Sequence, residues 1–305
     1  MRQRGHWFAC ALGLFCAWAA GLAGAAALEV VATTPDLKSI AEAVGGAHVS
    51  VTSLAAPGAD PETFQPRPQD LARLRRAAVV VRVGLDFDLW LDPLLRSVGR
   101  PELRKNGSAH IDASQGIAVL EIRAASLDSS AGHTHGAGNP HYWLDPVNAE
   151  VISANISETL TRIDPANHAD YAANRARFVG ALRQRLPHWQ RALAALSGRP
   201  LLAYHDTWPY FARRFRLHIA DVIEPKPGIA PSPARLAELT RLIRAQNVAG
   251  IVVQTSDPAH TAEFLARRSG VRVARLASSV GAVREATNYI GMIDHNVGVL
   301  SALAR

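Results

Sequence analysis

Three histidines lie close together in the middle of the chain, at positions 133, 135 and 141. Imidazole is the commonest metal ligand in proteins, so such a group favours metal binding. His141 lies between the turn-forming pair Asn139-Pro140 and the helix-start pair Asp145-Pro146, which predicts a stiff loop. His133 and His135 belong to a glycine-rich run. Taken alone, each histidine also fits an exposed loop without a function.

Two further side chains could meet His141 at one edge of a parallel sheet. Glu62 lies in a proline-rich loop, Ala55 to Pro66, that follows a predicted strand. His205 follows another predicted strand, Leu201 to Tyr204, and ligands bind beyond the carboxyl ends of strands in open α/β sheets. Asp206 beside it is predicted to cap a helix; a ligand or an orienting partner are the alternatives.

Glu62, His141 and His205 together offer one carboxylate and two imidazoles. Calcium and magnesium favour shells of oxygen atoms, whereas imidazole suits transition metals. We therefore predict that these three residues bind a divalent transition metal, zinc or manganese. The residues are far apart in sequence, so spacing alone does not establish the site.

Eight short runs rich in β-branched residues predict the strands that would position these side chains. Stretches of helical length separate most of them, which predicts parallel strands covered on both faces. The fold class is therefore α/β, with two lobes that each contain a mainly parallel four-stranded sheet flanked by helices. The predicted strands are Glu29 to Ala32, Val49 to Leu54, Val79 to Val83, Ala109 to Ile111, Leu201 to Tyr204, Ile219 to Ile223, Val248 to Val253 and Val271 to Val273.

A long amphipathic stretch is predicted to join the two lobes as one helix. It divides the chain into an N-terminal lobe (28–165), a connecting helix (166–198) and a C-terminal lobe (199–305). Pro187 lacks a backbone N–H, which predicts a kink or break near Leu186. Other helix starts are predicted where a capping residue precedes proline. These pairs are Thr34-Pro35, Asp92-Pro93, Asp145-Pro146, Asp164-Pro165, Ser232-Pro233 and Asp257-Pro258.

Residues 1–27 are predicted to be a cleaved secretory signal peptide. A positive start is followed by an apolar run, Trp7 to Ala20, and by the small residues Ala25 to Ala27. Phe15 precedes Cys16, unlike the small residue of a lipoprotein cleavage site, so we expect no lipid anchor. Cys10 and Cys16 would leave with the signal peptide, which excludes disulfides and cysteine-ligated metals from the mature chain.

The charge of the chain does not indicate a nucleic-acid partner. The sequence has 33 Lys and Arg against 26 Asp and Glu, spread along its length. The densest basic clusters lie in helical patterns, where a solvated face is expected, and no nucleic-acid recognition motif is present. No segment after the signal peptide is long and apolar enough to span a bilayer. We expect a periplasmic or otherwise exported protein.

Four segments resemble the substrate-binding proteins of ABC transporters for metal ions, which capture zinc or manganese outside the membrane. They are Pro57 to Phe64, Asn139 to Pro146, Tyr204 to Phe211 and Glu224 to Pro233. The resemblance covers the whole mature chain. It implies two lobes bridged by one long helix, with the metal bound between them by four residues.

The resemblance also implies which residues hold the metal. The second and third family ligands correspond to His141 and His205, and the first, usually histidine, corresponds to Glu62. The fourth, usually aspartate, falls near Ser278, where no carboxylate stands. Water, Asp206 or another carboxylate could close the site. His133 and His135 resemble a shortened form of the histidine-rich loop of zinc-specific members.

The predicted function is metal capture by a monomer that delivers its cargo to an ABC permease. A metallohydrolase is the competing class, since the same donor set also describes a catalytic zinc site. The chain has no His-Glu-x-x-His or Gly-x-Ser-x-Gly motif, however, so we expect no enzyme activity. An exported adhesin or a metal chaperone is a third possibility, and neighbouring permease and ATPase genes would argue against it.

Overall fold

The computed structural model describes residues 26–121, 137–224, 226 and 228–304. Nearly all of the predicted signal peptide lies outside these residues, as do His133 and His135. None of the helices in the described part of the chain combines the length and the apolar character needed to span a bilayer.

The first sheet contains four parallel strands in the order β2-β1-β3-β4. Val30 of the inner strand β1 pairs with Val51 of β2 and with Val79 of β3. The β-branched side chains of β3 are buried, as expected for a parallel sheet covered on both faces. The strands are β1 (Leu28–Ala32), β2 (Val49–Ser53), β3 (Val79–Arg82) and β4 (His110–Asp112).

The second sheet repeats this topology with four parallel strands in the order β6-β5-β7-β8. The strands are β5 (Pro200–Ala203), β6 (His218–Val222), β7 (Gly250–Gln254) and β8 (Val273–Leu276). All eight strands were predicted from the sequence, but β8 extends three residues past its predicted end. It does so because Val252 to Gln254 of β7 pair with Ala274 to Leu276. The predicted fold class is confirmed.

Nine α-helices in the described residues connect and cover the strands. They are α1 (Pro35–Gly45), α2 (Pro68–Arg76), α3 (Leu91–Val98), α4 (Asn148–Ile163), α5 (His168–Leu193), α6 (Pro209–Phe215), α7 (Pro233–Ala245), α8 (Ala259–Ser269) and α9 (Tyr289–Ser301). Thr34 and Ser232 cap α1 and α7 as predicted, because their hydroxyls accept hydrogen bonds from backbone N–H groups of the first turn.

Four aspartates predicted to cap helices have other partners. Asp92 lies inside α3 and accepts a hydrogen bond from Arg82, whereas Asp145 precedes α4 by three residues and pairs with Arg214. Asp164 precedes the 3-10 turn Pro165–Asn167 as predicted, but its carboxylate accepts hydrogen bonds from the side chains of Asn167 and Tyr171. Asp257 accepts the backbone N–H of Gln254. Asp206 does not cap α6 either, since Trp208 occupies that position without a side-chain cap. These carboxylates hold loops and tertiary contacts instead.

The long connecting helix is present as α5, which contains 26 residues. At 1.5 Å per residue it is about 39 Å long. The predicted break is wrong, because the helix continues past Pro187 to Leu193. Trp189 and Leu193, which follow the proline, are fully buried, and their packing offsets the lost backbone hydrogen bond.

The two sheets and α5 share one continuous apolar core. Val30 of the first sheet, Trp189 of α5 and Val252 of the second sheet belong to the same buried cluster. Polar contacts also cross between the lobes, since Asp36 accepts the backbone N–H of Val280 and Ser39 accepts that of Tyr289. A shared core of this kind opposes wide opening of the lobes.

Candidate metal centre

Glu62 lies on a short 3-10 turn, Pro61–Thr63, in the loop that follows β2. The Asp60 carboxylate accepts the backbone N–H of Glu62 at 2.9 Å and caps this turn. The indole of Trp90 donates a hydrogen bond to the carbonyl of Pro61 at 3.2 Å. The loop that carries Glu62 is therefore fixed at both its cap and its proline.

His141 is buried and held by the side chain of Asn139. The Oδ1 atom of Asn139 accepts the backbone N–H of His141 at 3.0 Å and lies 3.1 Å from its Nδ1. Phe87 and Trp143 pack against the imidazole, with ring centroids 5.6 and 5.4 Å away. The amide nitrogen of Asn139 donates to the carbonyl of Asp206 at 2.9 Å, which links this loop to the second lobe.

His205 follows β5, as predicted, and contacts a carboxylate from the segment after the neighbouring strand. Its Nδ1 atom lies 2.7 Å from Oε2 of Glu224, which comes soon after β6. The other oxygen of Glu224 accepts the backbone N–H of Gly228 at 2.6 Å. Both carboxylate oxygens of Glu224 are therefore engaged.

The structure brings the three predicted residues together. Oε1 of Glu62 lies 3.5 Å from Nε2 of His141 and 3.7 Å from Nε2 of His205. Within the described ranges these are the residues whose ligand atoms converge, all within 4.8 Å of one another. Their side chains are only 8 to 17% exposed. Each imidazole directs Nε2 towards the carboxylate while its Nδ1 meets a second partner, an arrangement suited to holding a cation.

Burial and two neighbouring carboxylates determine the pKa of His205. Burial disfavours its charged form, but hydrogen bonds to Glu224 and Glu62 outweigh this effect and raise the pKa of His205 to about 10. Its imidazole is thus protonated at neutral pH in the metal-free protein. Burial also raises the pKa of Asp257, which lines the same cleft, to about 6.

Comparison with known proteins identifies the family of this chain. The sequence profile of the family described as "Zinc-uptake complex component A periplasmic" matches residues 30–303. The chain belongs to this family. The resemblance seen in the four sequence segments is therefore confirmed.

The individual sequence relatives are distant, and a solved structure has a similar fold. A putative metal-binding protein of Treponema pallidum is 27% identical over 88% of this chain and 85% of its own length. The zinc-binding protein AdcA of Streptococcus pyogenes is 22% identical over 85% of this chain, which spans only 52% of that relative. The crystal structure of ZnuA superimposes with a TM-score of 0.75 at 26% identity, covering 90% of this chain and 98% of the other.

Ser278, where the family pattern leads one to expect aspartate, lines the cleft without a charge. Its hydroxyl lies 2.8 Å from that of Thr255. The cleft has a volume of about 410 Å³, and its acidic lining residues include Asp36, Asp60, Glu224 and Asp257. Asp206, considered above as a possible closing ligand, lines a neighbouring cavity beside α6.

The partners of the two histidines were missed in the sequence. Asn139 was interpreted as part of a turn and of a family segment, and Glu224 only as part of a family segment. Both side chains contact an imidazole Nδ1 atom in the structure. The position of Glu224, shortly after a strand next to the one that ends before His205, is the signal that could have indicated it.

Proposed function

We propose that this protein captures a divalent transition metal outside the cytoplasm and delivers it to an ABC permease. The observation that carries this proposal is the convergence of the ligand atoms of Glu62, His141 and His205 within 4.8 Å. We assign these three residues as metal ligands, with the cargo bound in the cleft between the lobes. The family description, which names zinc uptake and the periplasm, supports the assignment.

Zinc is our first choice of cargo and manganese our second. Two imidazoles and one carboxylate form a ligand set that zinc uses readily, and the fourth position can be taken by water. The relative AdcA is named as a zinc-binding protein. Tight binding of a cargo ion does not require a catalytic base or nucleophile. We therefore propose metal binding and transfer without catalysis.

The proposed site of action is the periplasm or an equivalent exported location, reached with the signal peptide at residues 1–27. The partner would be the membrane permease, approached by the loaded protein as a monomer. The buried core shared by both lobes supports small loop adjustments during loading and release. The proposed units are the lobes 28–165 and 199–305 with the connecting segment 166–198 between them.

Titration of the metal-free protein tests the capture proposal. Protein that lacks residues 1–27, stripped with chelator, should bind zinc or manganese with a Kd below about 10 μM, which corresponds to about 7 kcal/mol. Calcium and magnesium are the matched control ions and should bind far more weakly, because imidazole is a poor ligand for them. Failure of both zinc and manganese to bind would end the capture proposal.

The zinc affinity measured in this titration should depend on pH, and the protonation of His205 determines the direction of the change. Its pKa is raised to about 10, so metal binding must displace a proton from its imidazole at lower pH. Apparent zinc affinity should therefore rise with pH between 6 and 9, and binding at pH 7.5 should release about one proton from this group. Calorimetry in two buffers of different ionisation enthalpy measures the release. Zinc binding without proton release would contradict a protonated His205 in the metal-free protein.

A further inference from the structure

The two candidate histidine ligands are held by acceptors of different charge. Nδ1 of His141 faces the neutral amide oxygen of Asn139 at 3.1 Å, whereas Nδ1 of His205 faces the Glu224 carboxylate at 2.7 Å. The Glu224 side chain is only 11% exposed, so water screens this contact little. The two rings are therefore not equivalent as metal donors.

A carboxylate could not replace the Asn139 side chain beside His141 without losing other contacts. Its amide nitrogen donates to the carbonyl of Asp206 at 2.9 Å and to the carboxylate of Glu121 at 3.1 Å. A carboxylate at this position would lose both donors and face the negative charge of Glu121. The charged acceptor can therefore be supplied on the side of His205 but not on that of His141.

The ligand set leaves positive charge in a buried site. A divalent cation bound by Glu62 and two neutral imidazoles retains one positive charge, and Ser278 adds none. Unbalanced charge is costly where water is excluded. Asp60 and Asp257 also line the cleft, and their carboxylates accept the backbone N–H groups of Glu62 and Gln254 respectively. Glu224 bonds directly to a ligand ring.

We propose that Glu224 is a positioning residue that strengthens the metal site through His205. Its carboxylate accepts a hydrogen bond from the Nδ1–H group of His205, which fixes the tautomer that leaves Nε2 for the metal, and its charge makes this imidazole a better ligand. The amide of Gly228 holds the second oxygen and thereby orients the carboxylate. The inference rests on the proposed function, because it assumes a metal at Glu62, His141 and His205.

The charge and the hydrogen bond can be separated with two substitutions. E224Q keeps a carbonyl acceptor without the charge, whereas E224A removes both. Loss of an outer partner costs about 10- to 100-fold in metal affinity. After correction for the proton that zinc displaces from His205, the zinc Kd should therefore rise about 10-fold in E224Q and about 100-fold in E224A. E263Q, on the exposed surface of α8 in the same lobe, is the matched control and should leave the Kd unchanged.

A second readout distinguishes positioning from support of the fold. In zinc-loaded protein, the Nδ1 proton of His205 should give a slowly exchanging NMR signal in the wild type and in E224Q, and this signal should vanish in E224A. Circular dichroism of the metal-free variants identifies any variant that fails to fold. If E224A does not fold, the zinc Kd of E224Q, which preserves the shape of the side chain, is the deciding measurement.

The outcomes separate this inference from the capture proposal. The graded order of affinity, wild type above E224Q above E224A, with loss of the NMR signal in E224A, would support the role of Glu224. Zinc affinities of E224Q and E224A within threefold of a tightly binding wild type would overturn that role and leave capture intact. A wild type that binds neither zinc nor manganese would overturn both.

Discussion

Replacing His205 with alanine is expected to weaken zinc binding by at least about 100-fold, or about 2.7 kcal/mol. The substitution removes one of three ligands from a site whose ligand atoms converge within 4.8 Å. Water can fill the vacated position, but it does not reproduce an imidazole that Glu224 holds in place at 2.7 Å. Competition of the H205A variant with a chelator of known zinc affinity gives the change in Kd.

Two controls make this result specific to the site. H188A removes an exposed histidine from α5 and should leave zinc affinity unchanged. A variant with both His133 and His135 replaced by alanine should lose far less affinity than H205A. Equal losses in H205A and in the double variant would show that the metal site has been misplaced.

Replacing Arg214 with alanine is expected to lower the free energy of unfolding by about 3 kcal/mol. Arg214 of α6 makes two hydrogen bonds, of 2.7 and 3.0 Å, to the Asp145 carboxylate, which is fully buried. Removal of the guanidinium leaves a buried negative charge that keeps one backbone donor, the N–H of Val147. Urea unfolding of the metal-free protein, followed by circular dichroism, measures the loss.

The neighbouring Arg213 provides the control for this experiment. It lies over the ring of Tyr210, 5.8 Å from the centroid, on the exposed side of the same helix. R213A should cost less than about 1 kcal/mol, because exposed cation–π contacts are weak. Similar losses for R213A and R214A would mean that the ion pair between Arg214 and Asp145, which joins the two lobes, adds little to stability.

The strands were predictable because their residues follow a local pattern. Short β-branched runs separated by helical stretches are typical of parallel sheets, and Val79 to Val81 in β3 are buried as that pattern predicts. Once the strands were placed, the rule that ligands lie beyond their carboxyl ends led to Glu62 and His205. The structure brings both residues next to His141.

The capping predictions succeeded for Thr34 and Ser232, whereas the four aspartates have other partners. Thr34 caps its helix, whereas Asp145 before Pro146 is bound to Arg214, a residue 69 positions away. A sequence pattern cannot show a partner that the folded chain supplies. The break predicted at Pro187 is absent for a similar reason, since the buried side chains around it hold α5 together.

The partners of the metal-site histidines were likewise beyond the sequence pattern. Glu224 and His205 follow the adjacent strands β6 and β5, and Asn139 contacts His141 two residues later in the chain. Both contacts depend on side-chain orientation, which hydrophobic periodicity does not encode. The family resemblance, by contrast, placed Ser278 near the position of the fourth ligand, which is usually aspartate. Ser278 lines the cleft in the structure.

The central claim, that Glu62, His141 and His205 hold the metal, is tested most directly by locating the ion. Crystals of zinc-loaded protein measured at the zinc absorption edge should show one anomalous peak between these side chains. Nε2 of each histidine should lie about 2.0–2.1 Å from the peak, and a Glu62 oxygen about 2.0–2.2 Å away. A peak bound by other residues, with these three side chains apart from it, would contradict the assignment.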